Sequence, residues 1–172
     1  MLRTLAVLLL FAQATGNPML ATDVKSADIQ ATLKRVMANP NIAVSDTPLR
    51  TVDAGGHNVS IGVVYRPKGA KGGSASHDKV SEVYQVLEGS ATLVTGGTII
   101  NPQRRTSTQE EVTQINGPGV SGTSIEGGVS RRITKGDMVI IPAGTPHWFP
   151  EIQETITYTV VRIDPSRVVT LK

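Results

Sequence analysis

The sequence predicts an all-β domain of short strands joined by tight turns. Three observations lead there. First, 17 glycines and 10 prolines punctuate a chain of 172 residues. They fall between short β-branched runs, as turns between strands do. Second, two runs alternate with period two: Val59, Ile61, Val63 and Tyr65, and later Ile156, Tyr158 and Val160. That is the spacing of a strand with one face against a core. Third, a single stretch, Ser26 to Met37, carries helical spacing, with Ile29, Leu33, Val36 and Met37 on one side. The length suits one domain with a sizeable core. The formal charge is +3, basic and acidic residues are interspersed, and aromatics make up 3% of the chain. That composition excludes a nucleic-acid-binding face. No cysteine is present, so no disulfide framework supports the fold.

Taken in order, residues 1–14 read as a secretory signal. Arg3 supplies the basic start, Leu5 to Ala12 an apolar core too short to span a bilayer, and Ala12-Gln13-Ala14 a small-x-small cleavage site. The other reading of this run is a buried N-terminal helix. Cleavage after Ala14 predicts a periplasmic or secreted protein with no membrane attachment. Residues 15–40 read as a linker and then the helix, with Ser26 as N-cap and Asn39-Pro40 as its stop. From residue 41 to 172 a single barrel-like domain is expected. Its early strands are Ile42–Val44, Leu49–Val52 and His57–Arg66. Ser81–Leu87 and Ala91–Thr95 read as a hairpin turning at Gly89. Residues 101–130 are polar and rich in Gly, Ser, Thr and Gln, and read as an inserted loop, either a solvated excursion or a lid. Arg131–Thr134, Met138–Ile141 and Thr155–Ile163 read as strands, and Val168–Leu171 adds a further candidate.

The stretch Gly136 to Phe149 carries the first chemical signal. An apolar strand, Met138 to Ile141, is ended by Pro142. Gly144 permits a tight turn that delivers His147. His77 lies at the mouth of another strand, five residues before Glu82. If those strands are neighbours, two imidazoles and a carboxylate converge, a ligand set for a divalent transition metal with open positions. His57 shares a strand face with Val59 and Ile61. It stands nine steps from the Arg66 end of that strand, on the order of 30 Å at the strand rise, which argues against a role in the same site.

The spacing of these residues resembles the cupins. Their first motif, G-x5-H-x-H-x4-E-x6-G, is followed by Gly69, Ala75, His77, Glu82 and Gly89. Their second, G-x5-P-x-G-x2-H-x3-N, is followed by Gly136, Pro142, Gly144 and His147, with Glu151 at the last position. The resemblance implies a double-stranded β-helix, a barrel of two sheets with a metal inside (Fe, Mn, Zn, Ni or Cu) held by His77, Glu82 and His147. Ala75 stands where the family has its first histidine, and a methyl group cannot coordinate. Three readings follow: a two-histidine, one-carboxylate site with an extra open position, a barrel that binds its ligand without metal, or a replacement ligand from elsewhere. Tyr84, Arg66 and Trp148 are the candidate substrate-binding residues, and Asp78 is a turn residue or a support for His77. The implied function is a metal-dependent oxygenase, lyase or isomerase acting on a small organic molecule. The alternative is a non-catalytic binding or sensing protein. A homodimer is the expected assembly.

Overall fold

The computed structural model describes residues 20–172. The expected signal segment and the first residues of the expected linker lie outside the described residues. The rest is an all-β double-stranded β-helix with one short N-terminal helix, as the sequence predicts. Helix α1 spans Ser26–Met37. The strands are β1 (Ser45–Asp53), β2 (Asn58–Arg66), β3 (Ser74–His77), β4 (Ser81–Glu88), β5 (Ser90–Thr95), β6 (Thr98–Ile100), β7 (Gln103–Arg104), β8 (Gly119–Gly122), β9 (Ser124–Glu126), β10 (Val129–Thr134), β11 (Met138–Ile141), β12 (His147–Trp148) and β13 (Ile156–Asp164). A π-helical segment, Glu111–Asn116, interrupts the strands. Among the described residues no helix is long and apolar enough to cross a membrane.

One sheet has the order β1-β2-β13-β4-β11 and the other β10-β5-β12-β3-β8-β7, with β6 and β9 as a separate ribbon. From β3 to β5, and again from β10 to β13, each strand lies in the opposite sheet from the one before it. That alternation winds the chain as a helix of paired strands around one interior. The core fills it with Val64, Tyr84, Leu93, Phe149, Ile156, Tyr158 and Val160, all buried. On β13 the inward residues are the alternating set Ile156, Tyr158, Val160, Arg162 and Asp164. The first three are apolar and the last two charged, so the interior changes character along its length.

Several elements differ from the sequence reading. Ser26 is the first helical residue and Lys25 holds the cap position in an extended conformation, with no side-chain cap bond. Ile42–Val44 forms no strand, and Leu49–Val52 is part of a longer strand, β1, that pairs with β2 from Ser45↔Tyr65 to Asp53↔Asn58. On β2 the residues that reach the core and cavity include buried Val64 and half-buried Arg66, whereas Val59 and Ile61 border a groove with Leu20 and Val24. The strand β11 is half-exposed: Val139 and Ile141 point inward, while Met138 and Ile140 are 65% and 73% exposed at the sheet edge. Val168–Leu171 forms no strand, although Thr170 and Lys172 bond to Thr113 and Thr51 through their backbones.

The hairpin expected at Gly89 is not formed. β4 and β5 belong to different sheets, so Gly89 is a corner where the chain crosses the barrel. It adopts φ +79°, and a Cβ there would stand 1.8 Å from the Thr155 carbonyl oxygen. Gly89→Ala is therefore expected to destabilise the fold by more than the ~1–2 kcal/mol of a left-handed non-glycine residue. Chemical denaturation measures this, and a smaller loss would contradict the corner geometry.

The polar stretch 101–130 is also more ordered than a loop. It contributes β7, the π-helical segment, β8, β9 and the start of β10. β8 pairs with β3 along its whole length, Ser74↔Gly122 to His77↔Gly119, and so forms part of the wall beside His77.

Candidate metal centre

Strand pairing brings the two motif halves together. β11 lies antiparallel to β4 with Ile141 opposite Glu82. The Pro142–Gly144 turn then hooks onto the corner between β3 and β4: the Gly144 N–H donates to the His77 carbonyl at 2.6 Å, and the Ala143 N–H donates to Ser81 Oγ at 3.0 Å. The chain leaves the turn as β12, with His147 opposite Ala75 on one side and Thr95 on the other. His147 is therefore held by three strands and a proline turn.

His77, Glu82 and His147 are all buried, and their candidate ligand atoms lie within 4.8 Å of one another. Glu82 Oε2 is 3.6 Å from Nε2 of His77 and 3.6 Å from Nε2 of His147. The two rings stand 4.9 Å apart at 52°. Two ligand atoms about 2.1 Å from one ion at a tetrahedral angle lie roughly 3.4 Å apart, so the spacing suits a shared ion. Ala75 lines the same cavity. Its methyl leaves open the place that a further imidazole would fill.

Glu82 is 1% exposed and fully engaged. Its Oε1 accepts from Arg162 Nε at 2.9 Å and its Oε2 from Tyr84 Oη at 2.7 Å. The cross-strand register places Arg162 directly opposite Glu82, and Arg162 is in turn paired with Asp46. Burial alone would raise the Glu82 pKa; Arg162, then His77 and His147, outweigh it and hold the carboxyl well below the usual range. Burial, followed by the Glu82 charge, raises the Tyr84 phenol well above its ordinary value, so it remains a proton donor.

The two histidines differ in tautomer. His147 Nδ1 lies 3.1 Å from the Thr145 carbonyl oxygen, an acceptor only, so Nδ1 carries the proton and Nε2 is bare. Burial, opposed by Glu82, lowers its pKa to about 4. The ring is thus neutral near pH 7, and two acceptors, His147 Nε2 and Glu82 Oε2, face each other. His77 is held the other way. Its Nδ1 lies 2.9 Å from Arg105 Nη2, and a guanidinium only donates. His77 Nδ1 therefore accepts, and its proton sits on Nε2, toward Glu82. Arg105 is 6% exposed and is fixed by the carbonyls of Ser76 and Val120 and by Ser121 Oγ. The donor set fits a metal at His147 and Glu82. It fits at His77 once the Arg105 bond to Nδ1 is released.

The His147 pKa carries a pH prediction for the metal-free protein. An unfolded histidine titrates near 6.5 and the folded one near 4. Between those values the unfolded chain takes up a proton that the folded chain refuses, so stability falls as pH drops through that window. At pH 5 the loss relative to pH 7 is on the order of 2 kcal/mol. Urea unfolding at both pH values, compared with His147→Gln, measures it, and equal pH slopes would contradict a buried neutral imidazole.

A cavity of about 520 Å³ opens beside these residues, lined among others by Asp46, Arg66, Ser74, Tyr84, Asn116 and Tyr158. Of the expected substrate-binding residues, Tyr84 and Arg66 face it. Trp148 is not among its lining residues; its Nε1 donates to the Gly72 carbonyl at 2.8 Å. Asp78 pairs with Arg104 at the surface, His57 is half-buried outside the cluster and Glu151 is exposed. Sequence reasoning missed Arg162, Asp46, Arg105 and Asn116. The alternation on β13 marked Arg162 as inward, and no sequence signal marked the other three.

Fold and site together define a double-stranded β-helix protein with a buried two-histidine, one-carboxylate cluster at the edge of an internal cavity. No family model matches the chain and no curated protein matches it. Among solved structures, the chain is similar to the cupin domain of Schizosaccharomyces pombe Cnp3 at 13% identity and a TM-score of 0.48, covering 75% of this chain and 66%, just under two-thirds, of that one. BH2720 from Bacillus halodurans aligns at 14% identity and 0.46, over 89% and 86% of the two chains. A double-stranded β-helix domain protein from Klebsiella pneumoniae aligns at 15% and 0.42, over 71% and 80%. The fold assignment itself rests on the strand order and register described above.

Proposed function

We propose that the barrel binds one divalent transition metal ion through His147 Nε2, Glu82 Oε2 and His77 Nε2, and acts on a small organic molecule in the adjoining cavity. One observation carries this reading: a bare imidazole nitrogen and an ionised carboxylate oxygen, both buried, face each other at 3.6 Å, an arrangement that a cation between them satisfies. A metal there would supply polarisation of a substrate oxygen. The protein's own groups do the rest. Arg162 keeps Glu82 ionised, Tyr84 donates a hydrogen bond to the Glu82 carboxylate, Ala75 leaves room beside the histidines, and the barrel wall limits water. Oxygenase, lyase and isomerase reactions all use such a site. The location outside the cytoplasm belongs to the same proposal and rests on residues 1–14 alone.

The Arg105 bond to His77 Nδ1 favours a second reading, a cavity that binds its small molecule without metal. Calorimetric titration of chelator-treated protein with zinc separates the two. The first reading expects one saturable site that weakens at least ~100-fold in His147→Gln. Wild-type protein with no saturable site supports the second and overturns the first.

A further inference from the structure

Among the described residues three arginines border the interior, and two are committed to the protein. Arg162 is held by Glu82 and Asp46, and Arg105 by Ser76, His77, Val120 and Ser121. Arg66 differs. It lines the cavity, lies over the Phe149 ring at 4.5 Å, and donates from Nε to Tyr158 Oη at 3.0 Å. Among the described residues no carboxylate pairs with it. Its planar end is thus oriented by an aromatic face and a phenol, with its charge directed at the cavity. Such a guanidinium recognises a planar carboxylate by paired hydrogen bonds.

A second residue lining the cavity has an unpartnered acceptor. Asn116 is 8% exposed and lines the cavity. Its Nδ2 donates to Glu111 Oε1 at 3.1 Å, which fixes the amide orientation, since the opposite flip would set two acceptors together. Its Oδ1 is left buried with no hydrogen-bond partner. A buried acceptor in this state calls for an O–H or N–H from elsewhere. It stands at the end of the π-helical segment, an element frequent at functional sites.

We infer that the cavity takes a small carboxylate that also carries a hydroxyl or amine donor, its carboxylate on Arg66 and its donor on Asn116 Oδ1. The inference rests on the proposed function for the cavity being the working site. It does not rest on the metal. Arg66 sets the charge requirement and Asn116 the requirement for a second polar group. The cavity volume, about 520 Å³, accommodates compounds of metabolite size.

The test uses malate, lactate and 3-hydroxybutyrate, each compared with its amide and with the deoxy acid of the same skeleton. Binding is read by calorimetry or by shifts in the protein's NMR spectrum, on both chelator-treated and zinc-loaded protein. At least one acid is expected to bind tenfold or more tightly than its amide, and about tenfold more tightly than its deoxy counterpart. Arg66→Gln removes the first preference and Asn116→Leu the second. Arg66→Lys, which keeps the charge, retains part of the first and serves where Arg66→Gln does not fold. No acid–amide difference, or a difference that survives in Arg66→Gln, overturns the inference. A hydroxyl that makes no difference overturns the part assigned to Asn116, showing that water serves it. If the preferences hold without zinc while zinc fails to bind, only the metal reading falls.

Discussion

Glu82→Ala is expected to lower the unfolding free energy by about 3–5 kcal/mol and to abolish metal binding. The size follows from what the carboxylate touches. Arg162 is 2% exposed, and its Nε loses a partner at 2.9 Å when Glu82 is truncated. Removing one member of a buried ion pair costs about 3–5 kcal/mol; here Asp46 still pairs with the Nη atoms of Arg162, and the buried Nε–H is left without its acceptor. The Tyr84 hydroxyl loses its acceptor at 2.7 Å, and the two imidazoles lose the oxygen between them. Glu82→Gln separates the two consequences. An amide oxygen still accepts from Arg162, so stability is expected to fall by about half as much, whereas the lost negative charge weakens metal binding at least ~100-fold. Urea unfolding with zinc titration on both variants measures this. Unchanged stability in Glu82→Ala would mean that Asp46 alone suffices for Arg162.

Arg105→Met is expected to tighten zinc binding by about 10–100-fold. In the wild type a metal at His77 Nε2 needs the imidazole proton moved to Nδ1, where it would confront the Arg105 donor at 2.9 Å. A hydrogen bond involving a charged group contributes about 1.5–3 kcal/mol, and its loss on metal binding subtracts that from the affinity. Methionine fills the space without donating. The same change leaves the Ser76 and Val120 carbonyls short of a donor, so stability is expected to fall by about 2–3 kcal/mol. Affinity and stability thus move in opposite directions, an outcome that a merely structural arginine would not give. Nitrogen-15 NMR of the metal-free protein provides the direct check: His77 carries its proton on Nε2 in the wild type and loses that preference in the variant. Weaker zinc binding in Arg105→Met would show that Arg105 supports the site instead of opposing it.

Much of the frame was legible because local periodicity and motif spacing express it. The 12-residue helix Ser26–Met37 followed from apolar spacing, and the inward face of β13 from Ile156, Tyr158 and Val160. The convergence of His77, Glu82 and His147 followed from two spacings and a family resemblance. What was not legible depends on pairing across long sequence separations. Arg162 meets Glu82 across 80 residues and Asp46 across 116, and only register aligns them. The stretch 101–130 looked like a loop because β8, Gly119–Gly122, faces a polar cavity and needs no apolar alternation. A Cβ on Gly119 would stand 2.0 Å from Arg105 Nη2, so this glycine makes room for the guanidinium rather than marking a turn. Gly89 resembled a hairpin turn, yet a single residue between strands is shorter than the two-residue loops that close hairpins, and the chain crosses to the other sheet instead.

The central claim is that His147, Glu82 and His77 form one metal site. Elemental analysis of wild-type protein beside His147→Ala, both prepared with metal supplementation, tests it most directly. Close to one equivalent of a single transition metal is expected in the wild type and roughly a tenth or less in the variant. Equal metal content in the two proteins, or a wild type as empty as the variant, would contradict it.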